Sequence, residues 1–387
     1  MRYTLSDNTW DKKEYEALQE VINSGFFSMG EKVKAFEEAF AQKFNVKYAV
    51  MSNSGSSANL LAIAALVYSN KLQKGDEVIV PAVSWSTTYF PLSQYNLKLK
   101  FVDIDLDTLN INVQKIEEAI TPNTKAIFAV NLLGNPNDFD ELQKLCNTHD
   151  LILIEDNCES MGAYYKNQPL GTIGTLGTFS TFYSHHICTM EGGVTVTNDK
   201  ELYHYMLSIR SHGWTRHLPS DSSIYTKKDD SFYESFNFIM PGYNLRPIEM
   251  EGALGIEQLK KLDKIIDQRR ENAKYFKNQI EGLEGYKTQH EIESSSWFGF
   301  AILMSGKNLG KRAELIKVLD IAGIDVRPIV AGNFTRNKAI EYMDYEISGN
   351  LENADYIHEE GFFVGNHSKN NFDHIDRLIT CLKNFNK

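Results

Sequence analysis

Ser180 stands five residues before the pair His185-His186, and Glu191-Gly192-Gly193 follows shortly after. An imidazole, with an ordinary pKa of about 6.5, is the side chain best suited to take up and return a proton near neutrality. Upstream, LILIEDNCESMGA (Leu151 to Ala163) ends an apolar run in Glu155-Asp156. That pattern sets carboxylates at the carboxyl edge of a sheet, where α/β folds bind ligands. Such an acid could bind a metal, hold a ribose or cap the next turn. SNSGSSANLL (Ser52 to Leu61) runs a Ser/Gly turn straight into a helix. Free backbone N–H groups and the positive helix end suit an anion there, with Gly55 allowing close approach and Ser56 adding a hydroxyl. The same residues also make an ordinary N-cap.

The elements that must position these groups alternate. SSANLLAIAALVYSN from Ser56 reads as a helix, EVIVPAV from Glu77 as a strand, and FVDID and AIFAVNLLG as further strand-like runs. DFDELQKLCNTH from Asp138 is helical and LILIEDN from Leu151 is a strand. This alternation predicts a largely parallel sheet covered on both faces. Short strands flank a loop between Thr178 and Asp199. After Pro247 one long helical pattern runs to about Gly282, its Lys/Glu-rich stretch from Lys260 to Asn278 reading as a solvated face. WFGFAILM at Trp297 and KRAELIKVLDIAG at Lys311 then suggest a smaller α+β domain. The expected division is 1–281 and 282–387.

Composition narrows the function. The chain has 387 residues with 40 basic and 51 acidic side chains, a net charge of −11, which disfavours a nucleic-acid or anionic-membrane binder. No apolar run approaches a bilayer span, and the start, MRYTLSDNTWDKK, lacks a signal-peptide layout; the expected location is the cytoplasm. Cys146, Cys158, Cys188 and Cys381 form no closely spaced pair, so no metal site is expected. The glycines of GTIGTLG (Gly171 to Gly177) do not fit GxGxxG, which disfavours a dinucleotide-dependent dehydrogenase.

Order and spacing together carry a resemblance. An S-G-S helix start, a strand ending in D-x-x-E at Asp156 and Glu159, the F-S-x-F loop at Phe179, the E-G-G turn and the later G-x-N-x-R at Gly242 resemble the DegT/DnrJ/EryC/StrS family. These are sugar-nucleotide aminotransferases using pyridoxal phosphate, and the resemblance covers about Asp11 to Asn366. It implies the aspartate-aminotransferase fold: a large domain with a mostly parallel mixed sheet and a smaller C-terminal α+β domain. It further implies that Gly55, Ser56 and Ser180 hold the cofactor phosphate and that Trp85 stacks on the pyridine ring. Asp156 would pair with the ring nitrogen, keeping it protonated so that the ring draws electrons. Glu159, where many members have Gln, would lie beside the phenolic oxygen. Asn244 would reach the cofactor phosphate of a second subunit, which implies a homodimer with shared sites. Arg246 is a candidate for a substrate carboxylate or phosphate, and Arg216 is either a substrate-phosphate contact or a solvated charge.

One departure bears on function. Where the family places the lysine that bonds the cofactor, this chain has His185; the nearest lysines, Lys166 and Lys200, are far along the sequence. That resembles the family's small sugar-nucleotide 3-dehydratase branch, with the cofactor as pyridoxal or pyridoxamine phosphate held non-covalently. Segments such as FYSHHICTMEGG, SHGWTRHLP and RPIVAGNF resemble branch members acting on GDP-4-keto-6-deoxymannose with L-glutamate as amino donor, in the synthesis of dideoxysugars such as colitose. His186 reads as a neighbour that fixes the loop or touches a phosphate. Two alternatives remain at this point: an aminotransferase with an unconventional base, and a non-catalytic homologue that binds a sugar nucleotide.

Overall fold

A helix apolar on every side can be stable only when surrounded, and the helix Gly55–Tyr68 is such a helix. Nine of its residues, among them Asn59 and the run Leu61 to Leu66, are buried, and Ser54 caps it by accepting from the Ser57 N–H. In the computed structural model, which describes residues 2–385, this helix packs on an eight-stranded sheet. The strand order is Tyr48–Ser52, Gly193–Thr197, Leu176–Ser180, Ile152–Asp156, Thr124–Val130, Glu77–Pro81, Lys98–Val102 and Tyr345–Ile347. The two pairings that involve Gly193–Thr197 are antiparallel and the other five are parallel. The sheet is therefore mostly parallel, as the residue pattern predicts, and mixed, as the family resemblance implies.

Its register sets the positions of the reactive groups. Asp156 ends one parallel strand and pairs with Thr178, while Ser180 ends the next and lies opposite Gly193. The segment 181–192, with both histidines, is the connection between two antiparallel neighbours and is held at that same edge. Thr181 donates its N–H to Gly192 O at 2.9 Å, and Thr189 donates to Thr181 O at 2.9 Å.

A second sheet of four antiparallel strands has the order Tyr286–Thr288, Gly299–Met304, Gly361–Gly365, Val326–Arg327. Its core joins Phe276, Phe300, Phe362 and Leu378 to Tyr3 from the other end of the chain. The strand at WFGFAILM begins at Gly299, because Trp297 sits in the left-handed region (φ 48°) and breaks the extended run.

Two details depart from the sequence pattern. The helical stretch after Pro247 is two helices, Glu249–Leu259 and Leu262–Ile280, broken at Lys260-Lys261. At the break Lys261 reaches Asp11 and Glu14 in ion pairs of 2.8 and 2.7 Å, which ties it to the first helix. The chain beyond residue 281 is also not confined to the second sheet. Tyr345–Ile347 extends the large sheet, and Ile329, Phe334, Ile340 and Ile357 share a core with Leu61, Val80 and Phe101.

Candidate active site

The carboxyl edge of the large sheet and the face of the second sheet enclose a cavity of about 610 Å3. Gly55, Ser56, Trp85, Asp156, Glu159, Ser180 and His185 all line it, together with Asn59, Thr87, Phe298 and Arg327. That volume is ordinary for a small-molecule or cofactor pocket.

On one side lies the helix start. A Cβ on Gly55 would come within 2.6 Å of Ser180 Cβ and 3.2 Å of Cys158 Sγ, so only glycine lets the helix end settle on the Ser180 strand. Ser56 is exposed to the cavity, with its hydroxyl 3.3 Å from that of Thr87. The first-turn N–H groups, the Ser56 and Ser180 hydroxyls and the helix dipole converge on a space that suits a phosphate.

Behind it stands Asp156, 5% exposed. Its carboxylate accepts from Asn59 Nδ2 and Thr88 Oγ1, both at 2.8 Å, and from the Cys158 N–H at 3.2 Å. These donors are orientated in turn: Thr178 Oγ1 donates to Asn59 Oδ1 at 2.6 Å, and Ser84 Oγ lies 2.8 Å from Thr88 Oγ1. Since every donor is neutral, the carboxylate is fixed in place without a cation and can pair with a protonated ring nitrogen. Its neighbour Glu155 has the opposite fate. It points away into the protein and accepts from the N–H groups of Gly171, Ile173 and Gly174, each at 2.7 Å. The glycine-rich loop is thus an anion nest for the chain's own carboxylate.

Glu159 accepts the Leu133 N–H at 3.0 Å. Burial, the backbone bond and the nearby Asp156 together leave its carboxyl raised to about 7, with burial the largest cause. A carboxyl that keeps its proton near neutrality donates a hydrogen bond as an amide would. Trp85 is 57% exposed and caps the helix Ser86–Gln94, presenting a wide ring to the cavity.

His185 Nδ1 lies 2.8 Å from the carbonyl oxygen of Cys158. A carbonyl only accepts, so Nδ1 carries the hydrogen and Nε2 keeps the lone pair. Phe298 packs against the ring at 5.1 Å between centroids. Burial pushes the imidazole down from its ordinary value to about 4, against the opposing pull of the Cys158 carbonyl. The free-imidazole value assumed from sequence is therefore too high for this site. A ring so placed is a neutral acceptor at pH 7, and once protonated it gives the proton up readily. His186 is fully buried, does not line the cavity and bonds Ser296 O through Nε2 at 3.2 Å, which fixes the loop.

No lysine lines the cavity among the described residues. Lys166 and Lys200 pair with Asp140 and Asp221 on the outer surface. Asn244, Arg246 and Arg216 do not line it either. The Asn244 loop nevertheless runs beside the anion seat, since Asn53 donates its N–H to Leu245 O at 3.0 Å. Asn244 Oδ1 accepts from Arg246 Nε at 3.0 Å, and the Arg246 guanidinium lies 5.7 Å from the centre of the Trp214 ring. Sequence reasoning missed Asn59, Thr88 and Arg327. Asn59 had a signal, a lone amide one turn after Gly55 in an otherwise apolar helix.

With this geometry in hand, comparison with known proteins is informative. Residues 8–383 match the profile of the DegT/DnrJ/EryC1/StrS aminotransferase family. The chain is 54% identical, over 99% of its length and all of the relative's, to a GDP-4-keto-6-deoxy-D-mannose 3-dehydratase of Escherichia coli O55:H7. It superposes with a TM-score of 0.97 on a solved E. coli GDP-4-keto-6-deoxy-D-mannose 3-dehydratase with bound hydrated PLP, at 54% identity and covering 99% of this chain and 100% of that one. A second solved GDP-4-keto-6-deoxymannose 3-dehydratase, holding a trapped PLP-glutamate geminal diamine, gives the same score and identity over 98% of this chain and 100% of that one.

Proposed function

The chain belongs to the DegT/DnrJ/EryC1/StrS aminotransferase family, and we propose that within it the chain is a 3-dehydratase acting on GDP-4-keto-6-deoxymannose. It removes the carbon-3 hydroxyl with L-glutamate as amino donor. The products are GDP-4-keto-3,6-dideoxymannose, 2-oxoglutarate and ammonia, on the route to dideoxysugars such as colitose. The observation that carries this reading is a cavity of about 610 Å3 lined by a neutral histidine and, among the described residues, by no lysine.

Pyridoxal phosphate, alternating with its pyridoxamine form, supplies the electron sink when bound. The residues fit it. The Gly55 and Ser56 amides with the Ser180 hydroxyl take the phosphate, Trp85 covers a ring face, and Asp156 holds the ring nitrogen in its protonated form. Glu159 donates its retained proton toward the phenolic oxygen. His185 takes a proton at Nε2 and delivers it to the departing carbon-3 oxygen, which leaves as water. A lysine here would bond the cofactor and carry the proton to carbon 4, so that the nitrogen stays on the sugar. An imidazole offers a base without that bond.

A homodimer completes the site in this reading. Asn244 and Arg246 flank Leu245, which bonds the anion seat of their own chain, without lining its cavity, and Arg216 is exposed. Phe26, Phe27, Phe236, Phe238 and Ile248 leave large apolar side chains exposed. A second copy would cover these and receive Asn244 at its cofactor phosphate, with the two arginines toward its substrate. Among the described residues no helix is long and apolar enough to cross a membrane, in keeping with a cytoplasmic enzyme.

The test is to incubate the protein with pyridoxal phosphate, L-glutamate and GDP-4-keto-6-deoxymannose and to weigh the sugar nucleotide. A product lighter by one oxygen is expected. A product carrying an amine in place of the ketone would make the chain an aminotransferase and overturn the reading.

A further inference from the structure

Three acidic residues, Asp156, Glu159 and Glu191, line the cavity, and against them stands one permanent cation, Arg327. It projects from the short strand Val326–Arg327, whose backbone is fixed by pairing of Val326 with Val364 and Arg327 with Phe363. Pro328 follows and stiffens the chain further. The side chain is exposed to the cavity, and its one hydrogen bond is a long contact of 3.5 Å to the Val326 carbonyl. Several other arginines of the chain are occupied. Arg210 pairs with Glu37, Arg336 with Asp355 and Glu359, and Arg270 donates to the Ser295 and Gly162 carbonyls. Phe298, Val330 and Phe363 line the same cavity. A guanidinium fork on a rigid strand, lacking an ion-pair partner among the described residues and facing a cavity, is built to receive an oxyanion at two points.

We propose that Arg327 is the substrate-anchoring residue of the cavity, seating an anionic oxygen pair, carboxylate or phosphate, of a reactant. The inference rests on the functional reading above in one respect. That reaction brings two anionic reactants to the same cavity, an amino acid with its α-carboxylate and a sugar nucleotide with its diphosphate. Both present the oxygen geometry that the fork matches. The phosphate cradle at Gly55, Ser56 and Ser180 lies on the large-sheet wall, whereas Arg327 belongs to the second sheet, so the two anion sites have separate supports.

The test uses the cofactor-loaded protein and two unreactive probes, glutarate and GDP, titrated calorimetrically into wild type, Arg327→Gln and Arg327→Lys. Arg327→Gln should weaken at least one probe tenfold or more, with the bound cofactor's absorbance unchanged. Arg327→Lys should recover only part of the loss, since an ammonium offers charge without the fork. A loss confined to glutarate assigns the seat to the amino donor, a loss confined to GDP assigns it to the diphosphate, and loss of both makes it a shared seat. In turnover, the KM of the corresponding reactant should rise more than kcat falls. Unchanged affinity for both probes, no binding of either probe by wild type, or loss of the cofactor together with the probes would overturn the proposal. Because the probes do not react, intact probe binding in a wild type that fails to dehydrate the sugar would sink the functional reading and leave the anion seat standing.

Discussion

The two walls of the cavity are built on opposite plans. On the large-sheet wall, Asp156 accepts from three neutral groups, and those groups are held by Thr178 and Ser84. His185 has one ring nitrogen committed to the Cys158 carbonyl. On the second-sheet wall, Phe298, Val330 and Phe363 are apolar and Arg327 has no carboxylate partner among the described residues. A wall whose polar groups hold one another is ready for a resident group. A wall that leaves a guanidinium open is ready for a visitor. In the proposed reading, the difference separates the holding of the cofactor from the reception of the reactants.

Breaking the large-sheet wall should do the most damage. His185→Asn keeps a polar side chain but removes the base, and dehydration should fall by roughly 10²- to 10⁴-fold while absorbance shows the cofactor still bound. Asp156→Asn should lower kcat on the order of a hundredfold, measured under saturating cofactor, because the ring nitrogen loses its anionic partner. If either variant turned over like wild type, the division between the walls would be wrong. The Arg327 titrations come next in size and probe the other wall.

Glu159 sharpens the comparison through pH. Its carboxyl, ordinarily near 4.5, is raised to about 7 in the fold. The wild type should lose activity as pH rises through about 7, when a second anion appears beside Asp156. Glu159→Gln should remove that limb while keeping activity. The linkage has a definite sign: the folded state holds this proton more tightly than the unfolded chain. Stability from Glu159 is therefore full below about 4.5 and is lost as pH rises toward 7, and denaturant midpoints of wild type and Glu159→Gln should diverge over that window. His185 works the other way. With its pKa down at about 4, its contribution is present above the ordinary histidine value and is lost as pH falls toward 4. The smallest effect is expected from Asn59→Leu, which removes one Asp156 donor and leaves the Thr178 hydroxyl only its longer bond of 3.3 Å to the Glu155 carbonyl. It should cost about 1–3 kcal/mol of stability in denaturant titration and a modest part of the activity.

Part of the large-sheet wall was legible in the sequence because Asp156 and Ser180 end single strands and Gly55 starts a single helix. Each local motif is weak alone; it is the order of the motifs, and the family resemblance they carry, that singles out Gly55, Asp156, Ser180 and His185, and the sheet then brings them together. Arg327 was not legible, for it lies on a two-residue strand whose place at the cavity depends on pairing with Gly361–Gly365. Thr88 was hidden for a similar reason, being one more small polar residue in a helix until Asp156 is placed beside it. The strand Tyr345–Ile347 escaped notice because all three of its residues are exposed and show no alternation. The break at Lys260-Lys261 depends on ion pairs to Asp11 and Glu14, about 250 positions away, which no local periodicity records.

The central claim is that His185, standing where the family bonds its cofactor through lysine, commits the site to releasing nitrogen rather than leaving it on the sugar. The most direct measurement is the ratio of free ammonia to 2-oxoglutarate during turnover of GDP-4-keto-6-deoxymannose with L-glutamate. The account requires one ammonia for each 2-oxoglutarate. Accumulation of 2-oxoglutarate without ammonia would mean that the sugar keeps the amine, and would contradict it.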